Sequence, residues 1–400
     1  MSELEKLLDG VSVEWKPLGE ISELVRGNGL QKKDFTDTGI PAIHYGQIYT
    51  YYGLSTTNTK SFVSQELAKT LKKVETGNIV ITNTSENIED VGKAVVYLGK
   101  IQAVTGGHAT IIKPSNLLFS KYFAYFTETE EFAKQKRKYA KGTKVIDISA
   151  TDMSKIAIPI PSPNNLKKSL EIQQKIVAIL DTFSELTTEL TTELTTELTD
   201  RKKQYNYYRE QLLSFEEDEV EWKTLGEVAT IGTGSHDTKD AIDDGSYTFY
   251  ARGIAPLQLN SYDFDETAII TAGDGVGVGK VFHWAVGKYA LHQRAYRVVS
   301  NSDVDSRYIY HYMVANFYAY VKKTSVHSSV TSLRKPMFLK FPIPIPSPEE
   351  QARIVSILDK FDILTNSISE GLPKEIELRQ KQYEYYRDLL LTFPKDNVEA

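Results

Sequence analysis

Three successive copies of the tetrapeptide TTEL, from Thr187 to Leu198, constrain this chain more than any other feature of its sequence. They sit inside a run from Glu171 to Phe215 in which Ile176, Leu180, Phe183, Leu186, Leu190, Leu194, Leu198, Tyr205, Tyr208, Leu212 and Phe215 recur at steps of three, four or seven. That spacing predicts a helix with one apolar stripe. TTEL also alternates and Thr favours strands, but 45 residues without Gly or Pro are too many for one strand. Threonine is a poor helix former, so the six in the array cost up to roughly 4 kcal/mol relative to Ala, at ~0.7 each. Such a helix needs a partner that buries its leucines, with Leu186, Leu190, Leu194 and Leu198 as the packing positions. Four residues turn a helix by ~400°, so each copy rotates the stripe by ~40° and adds ~6 Å of length, the behaviour of an adjustable spacer.

The partner lies further along the same chain. Ile176 to Phe183 reads IVAILDTF and Ile354 to Phe361 reads IVSILDKF; RKKQYNYYREQLLSF from Arg201 is matched by RQKQYEYYRDLLLTF from Arg379, both at an offset of 178 residues. TTEL is thereby set against Leu364, Ile368, Leu372 and Ile376. Gly371 and Pro373 should bend or break this second helical region, because Pro removes a helical hydrogen bond and clashes one turn back.

The repeat extends beyond the helices. EWKPLGE from Glu14 and EWKTLGE from Glu221 each open a segment that closes on prolines, IAIPIPSP from Ile156 and FPIPIPSP from Phe341. The chain is a tandem duplication with matching frames and different contents. Short strands such as 78–82, 94–98 and 269–271, with one amphipathic helix near the end of each segment, predict an α+β chain of two mixed α/β domains separated by long helices. The expected boundaries are 1–163, 164–217, 218–348 and 349–400. A 41% hydrophobic content supports real cores in 400 residues, and zero Cys excludes disulfides, thiol nucleophiles and Cys-ligated zinc. With no apolar run of ~18 residues and no signal peptide, a soluble, cytoplasmic protein is expected. A net charge of −6 confines any DNA-binding surface to local patches, and Glu185, Glu189, Glu193 and Glu197 of the array lie away from them.

In this layout the chain resembles the specificity subunit of type I restriction-modification systems, within the group that carries a repeated tetrapeptide in its central conserved region. The motifs are the EW-K-x-LGE opening, the IPIPSP exit followed by IV-x-ILD-x-F, the tetrad array and the QY-x-YYR endings. The resemblance spans essentially the whole chain. It implies two target recognition domains, each reading half of a split double-stranded DNA sequence. It implies antiparallel coiled-coil helices that hold two methyltransferase subunits, with restriction and translocase subunits joining through the complex. It places S-adenosylmethionine on the methyltransferase and ATP and magnesium on the restriction partner, and no cofactor or metal on this chain. Independently of the resemblance, two non-identical domains related by duplication suit an asymmetric pair of half-sites.

Candidate DNA contacts combine phosphate neutralisation with amides and hydroxyls that read base edges. In the first segment they are Arg26, Asn28, Lys32, Lys33, Tyr45, Gln47, Asn83, Thr84, Ser85, Asn87, Lys93 and His108. The basic run 134–144 adds Lys138, Lys141, Thr143 and Lys144; its plain alternative is a solvated helix C-terminus. In the second segment the candidates are Ser235, His236, Lys239, Arg252, Lys280, His292, Gln293, Arg294, His327, Ser328, Arg334 and Lys335. For any one of these an ordinary polar loop is the competing reading.

Apparent catalytic signals fail. GDGVGVGK from Gly273 lacks the glycine and the hydroxyl of a phosphate loop and reads as a strand-connecting turn. The E-x-K of Glu14-Trp15-Lys16 and Glu221-Trp222-Lys223 recurs as a domain opening and is read as tryptophan packing. The seven His residues show no metal-binding spacing, and no cofactor fingerprint or adenine-methyltransferase tetrad is present. The chain is therefore expected to be a non-catalytic DNA specificity subunit. The alternatives are a coiled-coil assembly adaptor without DNA readout and a stand-alone nuclease.

Overall fold

The computed structural model describes residues 3–8, 10–216, 218–301, 303–324, 333–367 and 370–393. The chain divides into two compact units, Met1–Thr192 with the residues from Glu377 onward, and Glu193–Ile376. Each contains one of the duplicated segments and part of both helical regions. The openings and proline exits identified in the sequence bind one another: Val13–Pro17 runs antiparallel to Ala157–Pro161, with Trp15 opposite Pro159. Likewise Glu221–Thr224 pairs with Pro342–Ile345, with Trp222 opposite Pro344. Two-stranded ribbons leave every strand an edge, which is where proline is tolerated for want of an N–H. Trp15 packs edge-on against Phe126 at 6.1 Å, whereas Trp222 stays 37% exposed.

The second unit builds one six-stranded sheet around the long strands Phe264–Ala272 and Phe282–Leu291. In the first unit the same course is broken into Lys72–Val74 and Ile79–Thr82, then Ala94–Tyr97 and Ala103–Thr105, giving separate four- and five-stranded sheets. The first segment ends in two helices, Ser120–Phe126 and Glu130–Tyr139, rather than the single one expected. Thr127 and Thr129 divide them: their hydroxyls donate to Ala124 O and Phe126 O, and Thr129 also caps the next helix by accepting from Phe132 N. The second segment keeps one helix, Ser306–Thr324.

Each segment is fastened at its exit by the same three devices, two of them to a long helix and one to the proline strand. The buried Gln173 amide accepts from Phe119 N at 2.8 Å, and the buried Gln351 amide accepts from Asp305 N at 2.9 Å. Tyr122 donates to Pro159 O and Tyr308 donates to Pro344 O. Asp181 receives Lys121 and Tyr125, both at 2.8 Å, while Asp359 receives Arg307 at 2.7 Å and His311 at 2.6 Å. Different donors therefore meet the same carboxylate.

The spacer is one unbroken helix, Leu166–Leu212. Threonine hydroxyls in the array bond back one turn, Thr191 to Thr187 O and Thr192 to Thr188 O, both at 2.7 Å, so their polar atoms need no outside partner. Leu190, Leu194 and Leu198 are half-buried, but Leu186 is 57% exposed and does not serve as a packing position. At the start of the array the inward residues are Phe183 and Thr187, since the four-residue step has not yet rotated the leucines onto that line. Within the first unit Phe183 meets Tyr386 at 5.9 Å, and within the second Phe361 stacks on Tyr208 at 5.5 Å.

The second helical region is broken as expected, into Pro348–Asn366 and Leu372–Leu391. Gly371 adopts φ +82°, where a Cβ would strike the Ile363 carbonyl, and Pro373 falls in the first turn of the new helix, where its missing N–H is harmless. Ile368 lies outside the described residues. Among the described residues no helix is long and apolar enough to cross a membrane.

Gln173 and Gln351 give a direct test of the fastening. Replacing either by Ala removes a buried amide and leaves a part-buried backbone N–H unpaired, and should cost about 1–3 kcal/mol in urea unfolding. The two losses should add, because the sites are in different units. A double variant no less stable than either single one would show that the amides are not independent anchors.

Candidate nucleic-acid interface

Both units end their main sheet in the same hydrogen-bonded corner. In the first, Ile43 lies opposite Thr105, Ala109 N donates to Gly106 O, Ala109 faces Thr82, Asn83 N donates to His108 O, and Ile148 N donates to Asn83 O. In the second, Tyr250 lies opposite Leu291, Ala295 N donates to His292 O, Ala295 faces Ala272, Gly273 N donates to Arg294 O, and Leu333 N donates to Gly273 O. Three residues join the strands at each corner, 106–108 and 292–294, so positions correspond one for one. Tyr45 matches Arg252, Thr84 matches Asp274, and His108 matches Arg294.

At the three matching positions the first corner carries Tyr45, Thr84 and His108. Tyr45 opens the short helix Tyr45–Ile48 and lies 4.9 Å from the His108 ring. His108 Nδ1 and Thr84 Oγ1 share a 2.9 Å hydrogen bond. Ser85, beside it on the two-residue strand Thr84–Ser85, is buried. Arg26 closes the corner, donating to Gly107 O at 3.0 Å and pairing with Asp147 at 3.3 Å. Asn83 is fully buried with both side-chain polar atoms unpartnered, so it faces the interior rather than a ligand.

Other first-segment candidates divide sharply. Asn28 is committed to the backbone, donating to Thr70 O and accepting from Lys72 N. Gln47 is tied to Ser61 and Tyr52, while Asn87 and Lys93 both hold Asp90. These four shape loops. Lys32, Lys33, Lys138, Thr143 and Lys144 are exposed, and Lys141 is exposed but paired with Asp152 at 3.1 Å. Lys138 ends the helix Glu130–Tyr139, while Lys136 in the same run is buried against Glu89 O and Val91 O.

The second corner is charged. Arg252 donates to Asp274 Oδ1 at 2.8 Å and Arg294 to its Oδ2 at 3.0 Å. Burial alone would raise the Asp274 carboxyl, but these hydrogen bonds outweigh it and hold the group below its ordinary value. Buried His292 accepts the Arg294 backbone N–H on Nδ1; burial and the neighbouring Arg252 push its pKa down. Around this centre Gln293 donates to Asp237, and Ser235 and His236 both reach Asp263. Lys239, Arg334 and Lys335 are exposed, and exposed Lys280 lies 4.8 Å over the Tyr318 ring. Residues 273–280 connect the two long strands, as the turn reading predicts. His327 and Ser328 lie outside the described residues.

Sequence reasoning missed His44, Tyr49, Asp147, Asp237, Asp263 and Asp274. The aspartates carry the wrong sign for DNA, and only the fold reveals that Asp147 and Asp274 orient arginines while Asp237 and Asp263 hold Gln293, Ser235 and His236. Among the described residues no group of three or more His, Asp or Glu could hold a metal ion.

The type I restriction modification DNA specificity domain family matches residues 11–200 and 217–378. The chain is 37% identical to the Escherichia coli EcoR124I/EcoR124II specificity subunit, over 99% of this chain and 98% of that one. It is 32% identical to a putative type I restriction enzyme specificity subunit of Haemophilus influenzae, covering 98% of each. Two solved structures share the fold at 15% and 14% identity. One is a chain from a study of assembly and conformational transition in a type I restriction-modification system (TM-score 0.63, 95% and 97% covered). The other is the HsdS subunit of Thermoanaerobacter tengcongensis (TM-score 0.51, 95% of each covered). The chain belongs to the family of type I restriction-modification specificity subunits, the non-catalytic components of those systems.

His44 supplies a pH test of the first corner. Burial, then Lys32 and His108, lowers its pKa from 6.5 to about 4, and its Nδ1 accepts from Gly46 N at 3.2 Å, which requires the neutral ring. Because the folded pKa is depressed, the unfolded chain binds the proton first. The contribution is complete above pH 6.5 and is lost as pH falls towards about 4. Asn at this position keeps a helix cap without titrating. His44→Asn should therefore gain on the parent protein by about 1–3 kcal/mol between pH 7 and pH 4.5 in urea unfolding. Parallel pH profiles would rule out a neutral, buried His44.

Proposed function

We propose that this chain reads an asymmetric, two-part duplex DNA site, one half per duplicated segment, and that its helical regions set the gap and dock methyltransferase subunits. The observation that carries the reading is the shared corner: one hydrogen-bond frame presents Tyr45, Thr84 and His108 in the first segment and Arg252, Asp274 and Arg294 in the second. Identical frames with different side chains suit two readers of different sequences. Recognition lies within 1–163 and 218–348, and 164–217 and 349–400 form the spacer and its partner. Exposed Lys32, Lys33, Lys138 and Lys144 and, in the second segment, Lys239, Lys280, Arg334 and Lys335 supply phosphate contacts. Two methyltransferase subunits bring S-adenosylmethionine, and restriction subunits bring ATP and magnesium, in the cytoplasm. An adaptor that never touches DNA is the competing reading, disfavoured because an adaptor has no use for divergent side chains on a preserved frame.

Exchanging residues 11–158 for the matching segment of another family member, and mapping methylated sites in cells that also express the partner, should change one half-site and leave the other intact. Changes in both would refute modular reading.

The TTEL array makes a second prediction. Removing Thr187–Leu190 shortens the helix by ~6 Å and rotates its C-terminal remainder by ~40°, against ~3.4 Å per base pair. The half-site letters should persist while the unspecified gap shrinks by about one base pair, with about two as the limit. A fourth TTEL should lengthen it likewise. A gap that is constant across two, three and four copies would show that the array is not the ruler.

A further inference from the structure

The charged corner of the second unit carries a more specific reading, which rests on the two-reader proposal above. Arg294 is the more exposed of its two arginines, with 62% of its side chain accessible, and Arg252 is 39% accessible. The carboxylate between them is only 21% accessible. Each guanidinium gives one N–H to Asp274, an oxygen apiece, and an arginine has five donors in a rigid fork. Donors therefore remain on both forks, while the carboxylate fixes their direction. This is what distinguishes them from Lys280, Arg334 and Lys335, which are exposed cations suited to a phosphate.

The surroundings allow close approach. Gly275 comes directly after the carboxylate residue with φ +81° and open space where a Cβ would stand, and Val276 is 98% exposed. Leu333 N binds Gly273 O, which brings the start of the basic Arg334–Lys335 pair beside the same turn. At the matching positions of the first unit no arginine is present, since Tyr45, Thr84 and His108 occupy them. A forked cation pre-oriented by a carboxylate suits guanine above any other base, because O6 and N7 present two adjacent acceptors in the major groove.

We propose that Arg294, with Arg252 beside it, reads guanine in the half-site of the second segment, and that Asp274 is the residue that positions both arginines. The first corner has no arginine at the matching positions; Arg26 there comes from a different strand and is held by Asp147 and Gly107 O. Specificity for guanine in the second half-site thus resides in three side chains of the second unit.

The test is selection from randomised duplexes by the full chain assembled with its methyltransferase subunits, with base preferences scored at every position. The parent complex should specify at least one G·C pair in the second half-site. Arg294→Gln should reduce guanine preference there by about five- to a hundredfold, with adenine gaining, since Gln pairs with the adenine edge. Arg294→Lys should keep part of the preference through its ammonium. Asp274→Asn should relax the same position with both arginines still present, an effect that loss of stability alone would spread over all sequences. In every variant the first half-site, read by the untouched unit, reports that the complex is folded and bound.

A second half-site with no specified G·C pair would overturn the proposal. So would an Arg294→Gln complex that weakens on all sequences alike, with a salt slope lower by about 0.9, the mark of a lost phosphate contact. If the parent complex selected no sequence in either half, the two-reader proposal itself would fall, an outcome distinct from two well-defined half-sites that ignore these substitutions.

Discussion

The structure depends on whether a 47-residue segment with a threonine-rich centre can be held as one helix. Isolated helices draw little stability from propensity, and most of what holds a helix in a protein is burial of one face. Here burial is concentrated at the ends. Ile172, Ile176 and Leu180 are buried in the first unit's core, and Tyr205 and Leu213 in the second's. The array between them is at best half-buried. Its threonine hydroxyls close on the helix's own carbonyls, which lets the middle stay exposed without unpaired polar groups and leaves it free to vary in length.

Duplication has kept one side of each segment and released the other. On the helix-facing side, Gln173 and Gln351, Tyr122 and Tyr308, and Asp181 and Asp359 repeat the same bonds. Where residues do change there, from Lys121 and Tyr125 to Arg307 and His311, donors replace donors. The Asp359 carboxylate holds its histidine in a wholly buried position, where desolvation pushes the His311 pKa down. At the opposite corner the substitutions alter charge and chemistry: tyrosine to arginine, threonine to aspartate, histidine to arginine. A fold can tolerate that where the new charges are paired, as Asp274 is with Arg252 and Arg294, because a buried unpaired charge would destabilise it by several kcal/mol.

What the sequence disclosed rests on periodicity. The helices, the duplication and its flanking markers all repeat at fixed offsets, and repeats are legible without a fold; the break at Gly371 is legible from the Gly and Pro that interrupt one copy. Leu186 is misplaced by that reading because a four-residue step only approximates the helical period, so the inward line drifts across the leucines. Most of the site is legible only as a list. Asn28, Gln47 and Asn87 have the right chemistry for base edges, yet their amides bond loop backbone and side chains, which depends on residues 3 to 44 positions away. Asp274 is unreadable for the opposite reason, being valuable through its neighbours rather than through its own charge.

The overall charge of −6 also acquires a structural sense. Glu185, Glu189, Glu193 and Glu197 are all exposed on the spacer, and the cations of the sheet corners are partly offset by Asp147, Asp237, Asp263 and Asp274. Screening limits exposed charges to about 8 Å at physiological ionic strength, so the spacer's glutamates act on their own stretch of helix. The aspartates act at hydrogen-bond range. Asp147 and Asp274 hold arginines in a chosen direction while reducing each corner's net attraction for any phosphate, which on the proposed reading lowers non-sequence-dependent affinity more than it lowers recognition of a matching base edge. A reader that must search long DNA gains from that trade, since what matters is the ratio of specific to non-specific binding rather than the strength of either.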